Sequence, residues 1–250
     1  MNDLEFIKLY DKIHVYKNMF TDLEKMLKDL KEINSHEWED WYTFGKQRTL
    51  NNTEIPSGDL VIKYSNKLND VLEITTKHFM NYYQMDQSEI MYPTGQLCSY
   101  YPIDKNNEVG SKMIMTYHVD YQQEKMGSPG LFHYVTCNMY LNDNYSGGDV
   151  CFSINDDNFA YKPVAGDVIV FPSRPPYYHG VKKTYDAEKY FFRSFVMKLE
   201  PGSDEWIKNQ EKYGKELWEE MEREREKKER TGYIKYQDYQ TPTLKILNDK

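Results

Sequence analysis

Hydrophobic positions change their period along the chain. Phe20, Leu23, Met26, Leu27, Leu30 and Ile33 recur three and four residues apart, as do Leu68, Val71, Leu72, Ile74 and Phe79 within residues 60–83. That spacing gathers apolar side chains on one helical face and predicts two amphipathic helices, with Thr21 or Asp22 and Ser57 as starting caps. From Met113 to Lys198 the runs become short: MIMTYHVD, LFHYVTCNMYLN, GGDVCFS, NFAYKPV, GDVIVFPS, YYHGVKK and KYFFRSFVM. They are aromatic and β-branched, and Gly, Pro, Asn and Asp separate them, which predicts a β-sandwich or barrel. Between the helices, residues 34–58 carry Trp38 and Trp41 with breaks at Gly45 and Pro56, a loop-like stretch that covers a pocket or packs its tryptophans in the core. From Ser203 to Arg230, Glu alternates with Lys and Arg, the pattern of an exposed helix with charge pairs along its surface. Ile207, Tyr213, Leu217, Trp218 and Met221 are placed to dock its first half. The expected fold is mainly β (α+β), with N-terminal helical support over 1–88, a β core over 89–200, and a charged helix and tail over 201–250, in one globular domain.

Composition narrows the class. A chain of 250 residues buries a substantial core as one domain, and 23 tyrosines supply packing area despite a mean hydropathy of −0.85. The net charge of −8 argues against a broad nucleic-acid or anionic-membrane surface. The N-terminal stretch MNDLEFIKLYDKIHVYKNMF lacks the uninterrupted apolar run of a signal peptide, and no run is long enough to span a bilayer. The cytoplasm is the expected compartment. Cys98, Cys137 and Cys151 are odd in number and contain no Cys-x-x-Cys pair, so reduced thiols are expected and a thiolate zinc site is not.

The chemistry concentrates at His118-Val119-Asp120. His179 follows the first histidine by 61 residues, and Lys189 comes ten later. Along a strand, residues i and i+2 share a face, so His118 and Asp120 can meet one metal that the intervening residue cannot reach. Two histidines and a carboxylate can hold ferrous iron and leave the opposite face open. Composition alone yields about 0.5 chance His-x-Asp matches in such a chain, so the tripeptide gains its weight from its surroundings. His14, His36, His78 and His133 lack partners at metal-ligand spacing and read as structural.

In those surroundings the chain resembles the Fe(II)/2-oxoglutarate-dependent dioxygenases, within them the prolyl 4-hydroxylase-like group, from about Gln96 to Lys198. His118, Asp120 and His179 match that family's iron triad. Val135-Thr136-Cys137-Asn138-Met139-Tyr140-Leu141-Asn142 resembles the strand whose tyrosine binds the distal carboxylate of 2-oxoglutarate, a role the resemblance gives to Tyr140. Gly147-Gly148-Asp149 resembles the turn into the next strand, and Ala165-Gly166-Asp167 begins a hairpin similar to the one leading to the distal histidine. Lys189-Tyr190 resembles the family's basic-aromatic step and is the preferred cosubstrate anchor. Arg193, four residues further along the same strand face, is the alternative.

The resemblance implies a double-stranded β-helix, or jelly-roll, core buttressed by the N-terminal helices. It also implies Fe(II), 2-oxoglutarate and O2, with ascorbate a further candidate, and hydroxylation of an unactivated C–H bond with release of succinate and CO2. Asp120 favours hydroxylation over halogenation, because halogenating relatives carry a small residue there. The leading substrate is a prolyl residue in a peptide or protein, for which tyrosines such as Tyr100, Tyr101, Tyr117, Tyr121, Tyr177 and Tyr178 offer stacking surfaces. A free amino acid, another protein residue or a nucleobase are the alternative substrates. A non-catalytic jelly-roll binding module and a cupin enzyme independent of 2-oxoglutarate are the competing classes.

Overall fold

Alternation along the strands sorts their side chains between two cores. The computed structural model describes residues 4–20, 22–41, 47–50, 54–93, 95–107, 111–121 and 131–199. Its larger sheet runs β1 (Phe6–Tyr10), β2 (Ile13–Tyr16), β12 (Val168–Pro172), β8 (Leu131–Tyr140), β15 (Lys189–Leu199), β6 (Gln96–Tyr100), β4 (Gln47–Leu50) and β3 (Glu39–Trp41), with β5 (Ile90–Met91) paired to β15. The smaller sheet runs β11 (Asp157–Tyr161), β10 (Val150–Ile154), β13 (Tyr178–Lys182) and β7 (Met113–His118), and β9 (Ser146–Gly147) pairs with β14 (Thr184–Tyr185). On β12, Ile169 and Phe171 face one core with Phe152 and Val181 of the smaller sheet, while Val168 and Val170 face the other. Every residue of β12 is buried, as expected of a central strand covered on both sides. Tyr140 and Phe191 join the inter-sheet core; Met139, Leu141, Tyr190 and Phe192 turn outward.

Two helices cover that outward face. In α1 (Leu23–Glu32) the buried residues are Met26 and Leu30, and α2 (Gly58–Tyr82) buries Val61, Tyr64, Leu68, Leu72, Thr75 and Phe79 at three- and four-residue steps. Ile74 falls off this stripe and is 53% exposed, because two residues from Leu72 is more than half a turn away. Asp22 and Ser57 do precede the helices, yet neither side chain caps one; Ser57 instead donates its backbone N–H to Glu37. The mainly β architecture with helical buttresses therefore matches the expected jelly-roll class.

The N-terminal part supplies strands as well as helices. β1 and β2 extend the larger sheet past β12, and β3 and β4 extend it past β6. The stretch read as a loop around Trp38 thus contains two strands, and Trp38 is buried in the core against Tyr190. All three cysteines are free and buried, on β6, β8 and β10. No helix among the described residues is long and apolar enough to cross a membrane. The expected charged helix and tail over 201–250, and Thr21, lie outside the described residues.

Candidate metal centre and cosubstrate pocket

β7 and β13 pair antiparallel with His118 directly opposite His179, which brings the two rings to 4.4 Å. Asp120 lies two residues beyond His118, just past the end of β7. Its carboxylate reaches His118 Nε2 at 3.4 Å and His179 Nε2 at 3.2 Å, and one donor atom from each of the three lies within 4.8 Å of the others. Cis ligands of an octahedral ion with bonds of about 2.1 Å sit about 3 Å apart, so the three groups fit a shared divalent metal.

Second contacts aim each ligand. His118 Nδ1 lies 2.8 Å from the Thr116 carbonyl, which can only accept, so that nitrogen carries the hydrogen and Nε2 keeps its lone pair for a metal. Thr136 donates its hydroxyl to Asp120 Oδ2 at 2.8 Å, and Ser173 in turn donates to Thr136 at 2.9 Å. His133 Nδ1 donates to the Asp120 backbone carbonyl at 2.8 Å while its ring stacks on Phe195 at 3.9 Å. Burial alone would raise the Asp120 pKa, but His179 and His118 beside it hold the carboxyl well below the usual range. Burial works against a charged His118, yet the Asp120 carboxylate outweighs it and leaves that pKa raised.

The triad opens onto a pocket lined also by Tyr100, Asn138, Tyr140, Lys189, Phe191 and Arg193. The two candidate anchors have different settings. Lys189 is fully buried, donates Nζ to the Gly148 carbonyl at 2.6 Å and lies 4.7 Å over the Tyr140 ring. Burial pulls its pKa down to about 7. Arg193 is partly exposed and donates Nη2 to the Gln96 side-chain oxygen at 2.7 Å. Gly147 and Gly148 both have φ of +67°, and a Cβ at Gly147 would stand 2.3 Å from the Lys183 carbonyl. The turn that presents the Gly148 carbonyl to Lys189 is therefore reserved for glycine.

The strand start at Lys189 is braced from outside the pocket. Arg48 forks onto Glu188, donating Nε to Oε1 at 2.8 Å and Nη2 to Oε2 at 2.9 Å, Ser99 and Tyr190 donate to the same carboxylate, and Trp38 stacks on the guanidinium at 4.4 Å. Asn142 clasps the backbone on either side, donating to the Glu188 carbonyl and accepting from the Tyr190 N–H, both at 2.7 Å.

A pocket with a two-histidine, one-carboxylate wall and a buried cation behind it is the arrangement that a metal and a dicarboxylate require. Residues 105–197 match the model of the 2OG-Fe(II) oxygenase superfamily. The match spans the triad, Tyr140, Lys189 and Arg193, and the oxygenase resemblance read from the motifs holds over this segment. The superfamily implies Fe(II) and 2-oxoglutarate. Two solved structures share the fold. One is a prolyl hydroxylase in complex with a hypoxia inducible factor oxygen degradation domain peptide fragment, from Trichoplax adhaerens, at 15% identity, 75% coverage of this chain and 84% of that one, and a TM-score of 0.53. The other is a Pseudomonas putida prolyl-4-hydroxylase, at 11% identity, 76% and 94% coverage, and a TM-score of 0.51. No curated protein matches the chain in sequence.

All six residues singled out from the sequence line this one pocket. The positioning groups Thr136, Ser173, His133 and the Arg48–Glu188–Asn142 brace were missed. Asn138 was quoted without a role; it lines the pocket, and its Oδ1 is buried without a hydrogen-bond partner among the described residues. Thr136 and Asn138 share the parity of Tyr140 on β8, the signal that marks them as inward-facing. Of the tyrosines flanking the metal-bearing strands, Tyr100 lines the pocket and Tyr121 packs on Phe132 instead.

Proposed function

We propose that this protein is an Fe(II)- and 2-oxoglutarate-dependent dioxygenase that hydroxylates a prolyl residue in a peptide or protein, releasing succinate and CO2. The observation that carries the reading is the convergence of His118, Asp120 and His179 on a pocket whose closed end holds the buried Lys189. His118, Asp120 and His179 hold the iron. Iron with bound 2-oxoglutarate and O2 supplies the oxidation, one oxygen atom ending in succinate and the other in the hydroxylated product.

The remaining work belongs to the chain. Lys189 binds the far carboxylate of 2-oxoglutarate as a point charge, leaving the Gly148 carbonyl for the ligand, and Tyr140 adds its phenol from the neighbouring strand. Complete burial at the closed end favours Lys189 over the partly exposed Arg193 for this task. Met115, Val150, Val181 and Phe191 keep water from the pocket walls, which strengthens each polar contact inside. Thr136 and His133 fix the Asp120 carboxylate and its backbone, so the ligand face is preset before the metal arrives. The prolyl assignment draws its support from the shared fold of the two prolyl hydroxylases and from the aromatic pocket wall at Tyr100.

Anaerobic addition of Fe(II) and 2-oxoglutarate to metal-free protein is expected to produce the visible charge-transfer absorption of a chelated complex. Under air, prolyl peptides should then drive succinate formation above the uncoupled rate. Asp120→Ala is expected to abolish both signals while the protein still melts cooperatively. A folded, iron-loaded parent with no such absorption would remove the dioxygenase reading.

A further inference from the structure

Lys162 directly follows β11, and because Tyr161 pairs with Val150 of β10 it comes to lie beside the Gly147-Gly148-Asp149 turn. The residue is exposed, yet its amine turns back onto the chain before β10, donating to the Tyr145 carbonyl at 2.8 Å and the Gly147 carbonyl at 2.5 Å. The next carbonyl, that of Gly148, accepts Lys189 Nζ at 2.6 Å, and the Gly148 N–H donates to the Lys183 carbonyl at 2.9 Å. Two glycines bring no side chains to fix a turn, so its shape depends on the groups that hold its carbonyls and amides. Lys162 is one of these, although it is not part of the pocket wall.

The same amine lies 3.7 Å over the Tyr145 ring, and Lys189 Nζ lies 5.5 Å from the centre of that ring. Tyr145 is 4% exposed, so one buried ring is within cation–π range of both amines. Across such a low-dielectric spacer, a positive charge at Lys162 disfavours a second one at Lys189. Burial is the largest cause of the low Lys189 pKa, and Lys162 is the next. Asp149 and Cys151 at the head of β10 act in the opposite direction, and Asp149 is itself held by Lys182 at 2.8 Å. Tyr140 and Tyr100 face Lys189 from β8 and β6, and the triad and Arg193 line the rest of the same pocket.

Resting on the dioxygenase reading above, we propose that Lys162 is a positioning residue for cosubstrate binding. From outside the pocket it fixes the two-glycine turn that seats Lys189, and its charge sets how readily that amine takes the proton with which it holds a carboxylate.

Two measurements on full-length protein test this, each with the parent, Lys162→Met and Lys162→Arg. The first involves no cosubstrate. Metal-free protein carrying 13C-labelled lysine is titrated by NMR, with the Lys189 signal identified by its loss in Lys189→Met. In Lys162→Met the Lys189 midpoint should rise by about half a pH unit or more, and in Lys162→Arg it should stay with the parent. The second is calorimetric titration of the Mn(II)-loaded proteins with 2-oxoglutarate from pH 6 to pH 8.5. Lys162→Met should bind about threefold more weakly at pH 6, where Lys189 is charged in both proteins and only the looser turn counts. That gap should close as pH rises, because the variant keeps its Lys189 proton to higher pH. Damage to the turn alone would give a constant ratio. An unmoved Lys189 midpoint, or a ratio flat with pH in protein that binds 2-oxoglutarate, would overturn the inference. If the midpoint moves while the parent takes up no 2-oxoglutarate at any pH, the hold of Lys162 on Lys189 stands and only the dioxygenase reading falls.

Discussion

Lys189 is the residue at which stability and function oppose each other most directly. Its folded pKa of about 7 lies below the ordinary 10.5. Between those values the unfolded chain holds a proton that the folded chain lacks, so metal-free protein should gain stability as pH rises through that window. Lys189→Met, which removes the buried amine at similar volume, is expected to raise the melting midpoint near pH 7.5 and abolish 2-oxoglutarate binding. For the parent, 2-oxoglutarate affinity should weaken above pH 7, by up to about tenfold per pH unit, because the ligand must bring a proton with it. Thr136 acts through another residue. Thr136→Val keeps the shape but drops the hydroxyl held to Asp120, and metal affinity should fall about 10–100-fold by competition with a chromophoric chelator. The proposed ligands were legible in the sequence because metal chemistry restricts their residue types and a strand fixes the i, i+2 step. Thr136 and His133 were not, since their partner lies 16 and 13 residues away and is met only once β8 has packed beside it.

At the scale of elements, the start of β15 depends on a brace that contributes nothing to the pocket wall. Glu188 is held by Arg48, Ser99 and Tyr190 immediately before the lysine that reaches inward. Glu188→Gln leaves the Arg48 charge poorly matched in a largely buried place, at a cost of about 3 kcal/mol by chemical denaturation. Loosening that turn should also raise the KM for 2-oxoglutarate more than it lowers kcat, a split that a general loss of stability would not produce. The strands of the core were readable from their aromatic and β-branched runs. β1 and β2 were not assigned, although Phe6–Tyr10 and Ile13–Tyr16 are apolar enough. Their turn is made by Asp11 and by Lys12 at φ 55°, without the Asn-Gly or Asp-Gly that announces a tight hairpin. β3 and β4, at three and four residues, are too short for alternation to stand out.

Across the whole molecule, the larger sheet is insulated by helices on one face and by the second sheet on the other, and the metal site lies within the inter-sheet space. The smaller sheet has the order β11-β10-β13-β7, so β7 is its terminal strand among the described residues. His118 and Asp120 belong to that terminal strand and the residues after it, while His179 belongs to the strand inside it. A metal held by all three is thus also a rivet through the sheet margin: it ties a terminal strand to its neighbour. Adding Mn(II) should slow amide hydrogen exchange across residues 113–118 well beyond its effect on β12, and chelation should restore the faster rate. Metal loss would then do more than silence the pocket; it would unfasten the border of the sheet that frames it, exposing to proteases the strand that carries His118 and leads into Asp120.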